Sequence, residues 1–145
     1  MTLTILTPPG VEPVSLTEAR AHLRVTLDAE DGLISALVTA ARERIEAELG
    51  LVLIATQFRQ SFDRPAPDPV ELARGPVMSL DHVSDDRRTI DFTAGFGTEP
   101  ADVPGPLKQA ILMLVAFAFE HRGGDEAASL TLAEPWLAPY RPVRL

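Results

Sequence analysis

Apolar and polar positions along this chain keep changing their period, and each change predicts a different element. Residues 1–14 show no helical repeat and are punctuated by Pro8, Pro9 and Pro13, so an extended lead-in is expected. Ser15-Leu16-Thr17-Glu18 has the form of a capping box, in which the Ser hydroxyl takes an orphan amide and Glu18 reaches back. A short helix is predicted from Leu16 to Leu23, with Leu16, Ala19 and Leu23 on one face. The acidic run Asp28 to Asp31 suits a second helix start, where negative charge meets the positive end of the helix dipole. Leu33, Leu37, Ala40, Ala41, Ile45 and Leu49 then recur every three or four residues, and Gly50 stands where a C-cap belongs. On the opposite face, Arg42–Glu46 and Arg44–Glu48 read as solvated i,i+4 pairs worth about 0.2–0.5 kcal/mol each.

The period then falls to two. Thr56, Phe58, Gln60 and Phe62 alternate with Gln57, Arg59 and Ser61, a half-buried strand. Pro65, Pro67 and Pro69 interrupt it, and Val70-Glu71-Leu72, Val77 to Val83 and Thr89 to Thr93 are further strand candidates. Ser84-Asp85-Asp86-Arg87 supplies the turn joining the last two into a hairpin. Beyond Leu107 the alternation disappears: Ala110 through Phe119 is an unbroken apolar run, bracketed by Lys108-Gln109 and Glu120-His121-Arg122. A helix that is apolar on every side must be buried all round. The earlier helices offer little cover, so surface around Leu112, Val115 and Phe119 is expected to be shared with a neighbouring subunit. Gly123-Gly124 ends this helix, and residues 125–145, with Pro135, Pro139 and Pro142, are expected to be loop and tail. The predicted fold is α+β: three main helices packed on a small antiparallel β-sheet or hairpin, with extended N- and C-terminal segments.

Composition narrows the function classes. At 145 residues the chain suits one domain with a real core, and 46% hydrophobic with 23% charged residues argues against a disordered chain. It has no cysteine, so disulfides and thiolate metal sites are excluded. The first residues carry no basic charge and no long apolar core, and the longest apolar run falls well short of the ~20 residues that span a bilayer, so a soluble protein made in the cytoplasm is expected. Net charge is −8, with a single lysine, Lys108, so the basic footprint of a phosphate-binding protein is missing. From Pro135 onward the only charged side chains are Arg141 and Arg144, beside Trp136 and Tyr140. Aromatics and Arg dominate interface energies, and prolines reduce the ordering entropy of an extended segment. Residues 135–145 are therefore read as a docking tail on a domain spanning residues 1–134.

Candidate chemistry is thin. Gly95-Phe96-Gly97 lacks the third glycine and the immediately following helix of a dinucleotide fingerprint, and reads as a glycine turn at a strand end. Asp81, His82, Asp85, Asp86 and Asp91 are metal-ligand types, but they lie across a predicted turn, and strand alternation points Asp81 and His82 to opposite faces. His22 and His121 are single histidines near helix ends, where the dipole accounts for His121. The helices at 16–23 and 31–49 could pass for a helix-turn-helix, yet Arg42 and Arg44 alternate with Glu43, Glu46 and Glu48, which a phosphate backbone repels. A metal-dependent hydrolase and a DNA-binding regulator stand as the alternatives. No catalytic residue, cofactor or metal is expected.

The ordered set of motifs resembles the head–tail connector (adaptor, head-completion) proteins of long-tailed phages and phage-derived gene transfer agents. The resemblance runs through Thr7-Pro8-Pro9, Pro13 to Val25, Asp31-Gly32-Leu33-Ile34, Ala40-Ala41-Arg42-Glu43 and Phe92 to Gly97. It continues in Val103-Pro104, Leu107 to Leu112, Glu120-His121-Arg122 and Leu137 to Arg144. Family members carry a longer excursion between the strands than Ser84-Asp85-Asp86-Arg87-Arg88 here. The resemblance implies a structural ring of twelve copies at the head–tail junction of the particle. Such a ring docks under the portal protein, meets a tail-side stopper or tail terminator, and passes double-stranded DNA without sequence-specific binding. It makes the portal the expected partner of Trp136, Tyr140, Arg141 and Arg144.

Overall fold

The first two helices start and stop where local chemistry says they should. The computed structural model describes residues 1–121 and 126–142. Helix α1 (Leu16–Leu23) carries the capping box: Glu18 N–H donates to Ser15 Oγ at 3.0 Å and Ser15 N–H to Glu18 Oε1 at 3.3 Å. A left-handed Arg24 (φ 59°) ends it, and Val25 N–H donates to the Arg20 carbonyl. Helix α2 (Asp31–Leu49) follows a short 3₁₀ turn over Asp28–Glu30 and ends on Gly50 at φ 68°.

The buried stripe of α2 is Ile34, Val38, Ala41, Ile45 and Leu49. It lies one position round from the expected face, leaving Leu33 and Leu37 half-buried and Ala40 exposed. Next to that stripe, Arg42 is itself buried rather than solvated. Its Nε donates to Glu12 Oε2 at 2.6 Å and its Nη1 to Glu46 Oε1 at 2.5 Å. Thr39 Oγ1 also donates to Glu12, Leu53 N–H donates to Glu46 Oε2, and Arg74 Nη1 donates to the Glu46 carbonyl. Burial pushes the Glu46 carboxyl above its ordinary value despite these donors. The network fastens the lead-in segment, α2 and the entry to the sheet to one another, so the pair expected on the solvated face sits inside the protein.

Four strands form one antiparallel sheet: β1 (Thr2–Thr7), β2 (Thr56–Ser61), β3 (Val77–Val83) and β4 (Thr89–Ala94), in the order β1-β2-β4-β3. Phe58 faces Phe92 across β2 and β4, with ring centroids 5.5 Å apart. Val70-Glu71-Leu72 is not a strand. It lies on a strap, residues 62–76, pinned by the buried amide of Gln60, which donates to the Glu71 carbonyl and accepts from Ala73 N–H. The Ser84–Arg87 hairpin turn is present, and Ser84 Oγ accepts from the amides of Arg88 and Thr89. Gly95 closes the end of β4 at φ 145°. A Cβ there would lie 2.7 Å from Ala55 N, so only glycine allows this approach.

Helix α3 (Gly105–Glu120) buries Leu107, Ala110, Ile111, Leu114 and Val115. The expected loop and tail contain a fourth helix, α4 (Glu126–Leu137), with Pro135 in its last turn. Ser129, Ala133 and Leu137 recur at spacing four and are buried, and α4 is the main packing partner of α3, ahead of α2 and α1. Cover expected from a neighbour is thus largely supplied by the chain itself. The predicted end at Gly123-Gly124 lies outside the described residues. Leu137→Ala is expected to cost about 2–5 kcal/mol in a denaturant unfolding experiment. Leu132→Ala, exposed on the same helix, should stay within about 0.5 kcal/mol. Equal effects from the two would mean that α4 is not core.

Candidate functional site

The acidic residues around the hairpin are occupied by the sheet's own hydrogen bonds. Asp81 accepts from Ser79 Oγ at 2.6 Å, Thr93 Oγ1 at 2.7 Å and Gln57 Nε2 at 3.1 Å, and these donors hold its carboxyl below the usual range. Asp91 accepts two bonds from Arg59, at 2.8 and 2.9 Å, with the same consequence. Asp86 is held low by Ser84 Oγ, its first hydrogen-bond donor in the turn. The ladder slips at Asp81, between Leu80 and His82. This bulge overturns the expectation of opposite faces: Asp81 reaches Thr93 while His82 pairs with Asp91, both on the polar face. Even so, no group of three or more metal-ligand side chains is arranged to hold an ion among the described residues.

Two of the histidines, His22 and His121, line one groove beside α3. His121 stacks on Phe117 with centroids 4.5 Å apart, and its Nδ1 lies 3.1 Å from the Phe117 carbonyl at the end of α3. With His22, Met113, Ala116, Phe117, Glu120 and Leu132 it lines a shallow groove of about 430 Å³. A DNA-reading role for α2 loses its best candidate, because Arg42 is buried beneath two carboxylates.

What the molecule does present is surface. By register, Leu3 and Ile5, Phe58 and Gln60, Ile90, Phe92 and Ala94, and Val77, Leu80 and Val83 share one sheet face. The strap covers this apolar face at its centre, where its Leu72, together with Val52 from the turn into β2, packs on Phe58, Phe92 and Ala94. It leaves both margins open: Ile5 is 56% exposed and Leu80 61%, and every residue of β3 is exposed. The other face is polar, carrying Thr4, Gln57, Arg59, Asp91 and Thr93.

The C-terminal residues singled out from sequence are divided. Trp136 is 40% exposed, whereas Leu137 beside it is fully buried and Tyr140 packs on the helical core. Arg141 makes two bonds to Glu134, at 2.7 and 2.6 Å, and a third to Glu48 at 3.0 Å. The boundary drawn at Pro135 falls inside α4. Arg144 lies outside the described residues. On α3, Val115 is 1% exposed, while Leu112 and Phe119 pack against the same core and are half-buried. No helix among the described residues is long and apolar enough to cross a membrane.

Comparison with known proteins supplies a relationship that this geometry alone does not. Residues 13–141 match the family described as Phage gp6-like head-tail connector protein. No curated protein matches the chain. Among solved structures, a chain from the neck of an empty gene transfer agent particle, computed with C6 symmetry, superposes with a TM-score of 0.80 at 23% identity. A chain from the virion of a native gene transfer agent particle gives 0.78 at 23% identity, and one from the native neck computed with C12 symmetry gives 0.77 at 22%. Each alignment covers 100% of this chain and 97% of the other, so the fold is shared from end to end.

Acid titration tests the Arg59–Asp91 pair. Its folded carboxyl lies below the unfolded value, so its stabilisation is complete above about pH 4 and is lost as pH falls through the folded value. The melting temperature of Asp91→Asn should therefore fall less steeply than wild type between pH 4 and 2, Asp81, Asp86 and Glu134 still contributing to the slope. Parallel curves would show that the pair adds nothing.

Proposed function

The chain belongs to the gp6-like head–tail connector family of phage proteins, and on that premise we propose that it is a structural adaptor that forms a closed ring beneath the portal. The family match across residues 13–141 is the observation that carries this reading. The ring joins head to tail, continues the channel for double-stranded DNA, and presents its far side to a tail-side stopper or terminator. Twelve copies suit the C12 symmetry of the neck that contains the similarly folded chain. A chain of net charge −8 favours passage over retention, because an acidic wall repels the duplex and gives it no cationic hold. The role needs no catalysis, and the carboxylates that could have served it are engaged in sheet hydrogen bonds.

Copies in the ring share the half-buried side of α3, where Leu112 and Phe119 complete their burial against a neighbour and Val115 anchors the helix from within. Portal docking falls to the C-terminal end. Trp136 offers the exposed aromatic surface, Tyr140 and Arg141 set its base against the body, and Arg144 adds positive charge in an otherwise acidic chain. A deletion of residues 135–145 would remove the buried Leu137 along with any docking surface. The cleaner test combines Trp136→Ala with deletion of residues 142–145. This variant should melt within a few degrees of wild type, fail to co-sediment with purified portal, and leave heads that fill and then leak DNA. Wild-type binding by the folded variant would show that the C-terminal end is not the docking element.

A further inference from the structure

The two open edges of the sheet are complementary to each other. Strands β1 and β3 are its terminal strands, and neither has a ladder partner on its outer side among the described residues. Protected edges are blunted by Lys, Pro, inward charges or β-bulges. Here β1 has no charge or proline in its six residues, and β3 exposes Val77, Met78, Leu80 and Val83. The bulges of β3 shape its edge but leave this apolar surface uncovered.

We propose that β3 of one copy pairs with β1 of the next, so that the sheet continues from subunit to subunit around the ring; this rests on the ring reading above. Three features fit the two edges together. First, neighbouring strands alternate in direction through β1-β2-β4-β3, so β3 runs opposite to β1 and a translated copy meets it antiparallel. Second, the strands match in length, at seven and six residues.

Third, the faces match. With Leu80 opposite Ile5, the bulge at Asp81 takes up one position, as it does against β4, and Val83 comes opposite Leu3. Asp81 and His82 then stand beside Thr4 on the polar face, where the Thr hydroxyl can donate to the carboxylate. Apolar meets apolar and polar meets polar only in such a register, because a one-residue slip would exchange the faces. The contact is heterologous, using different surfaces on the two copies, which is the kind that closes into rings when the rotation permits.

The absence of native cysteine makes the test direct. A chain carrying Ile5→Cys and Leu80→Cys, assembled on purified portal and mildly oxidised, should give a ladder of disulfide-linked multimers. Either single variant should give none. In parallel, Ile5→Lys and Leu80→Lys, both at exposed positions, should melt like wild type yet form no rings by native mass spectrometry. Mixed together they should yield a one-to-one heterodimer, since one intact β3 edge and one intact β1 edge remain. If wild type forms no ring even on portal, the ring reading fails and this pairing with it. If rings form but the double-cysteine chain does not cross-link, or the Lys variants still assemble, the ring stands and the edge pairing is overturned.

Discussion

Helix α3 carries ten consecutive apolar residues, Ala110 to Phe119, and a helix of that composition cannot give a whole face to water. Its burial organises the rest of the molecule. Helix α2 covers one side with Ile34, Val38, Ala41 and Ile45, α1 adds Ala19, and α4 closes another side with Ala133 and Leu137. No residue of β1 to β4 belongs to that helical cluster. The sheet is therefore left outside the main core, with a small one of its own around Phe58 and Phe92 and, among the described residues, no strand beyond either edge. The same packing that completes the helical body leaves β1 and β3 as terminal strands of the sheet.

Burying α3 also demands that the lead-in segment and α2 be held in place, and this is where the ionic network acts. Arg42, Glu12 and Glu46 are removed from solvent to different degrees, and each finds a partner. Removing one member of such a buried set costs about 3–5 kcal/mol, chiefly because the remaining charge is stranded. The network gives a definite register between residues 12–14, α2 and the turn into β2. Val14, fully buried beside it, marks the point where the lead-in joins the core.

Local signals in the sequence identified much of this fold. The capping box at Ser15, the left-handed cap at Gly50, the alternating strand from Thr56 and the Ser84 turn depend on neighbours a few residues apart, and all are present. Long-range features were not legible. Helix α4 was hidden because three prolines outweighed the weak spacing of Ser129, Ala133 and Leu137. Arg42 looked solvated because its decisive partner, Glu12, is thirty residues away. The bulge at Asp81 arises from the slip against β4, which no single strand reveals. The site followed the same rule: the family could be read from ordered motifs, whereas the open edges became visible only once the strand order was known.

In the proposed ring the helical core is formed within one chain, the sheet edges carry assembly, and the half-buried flank of α3 at Leu112 and Phe119 adds to that contact. Hydrogen–deuterium exchange on the free chain and on the portal-bound ring tests this arrangement directly. Amides of α3 from Leu107 to Val115 should be strongly protected in the free chain and change little on assembly. Amides of β1 and β3 that point away from the sheet should exchange fast in the free chain and slow sharply in the ring. Strong protection of α3 appearing only on assembly, with β1 and β3 unchanged, would mean that the ring is held by the helices and not by the sheet.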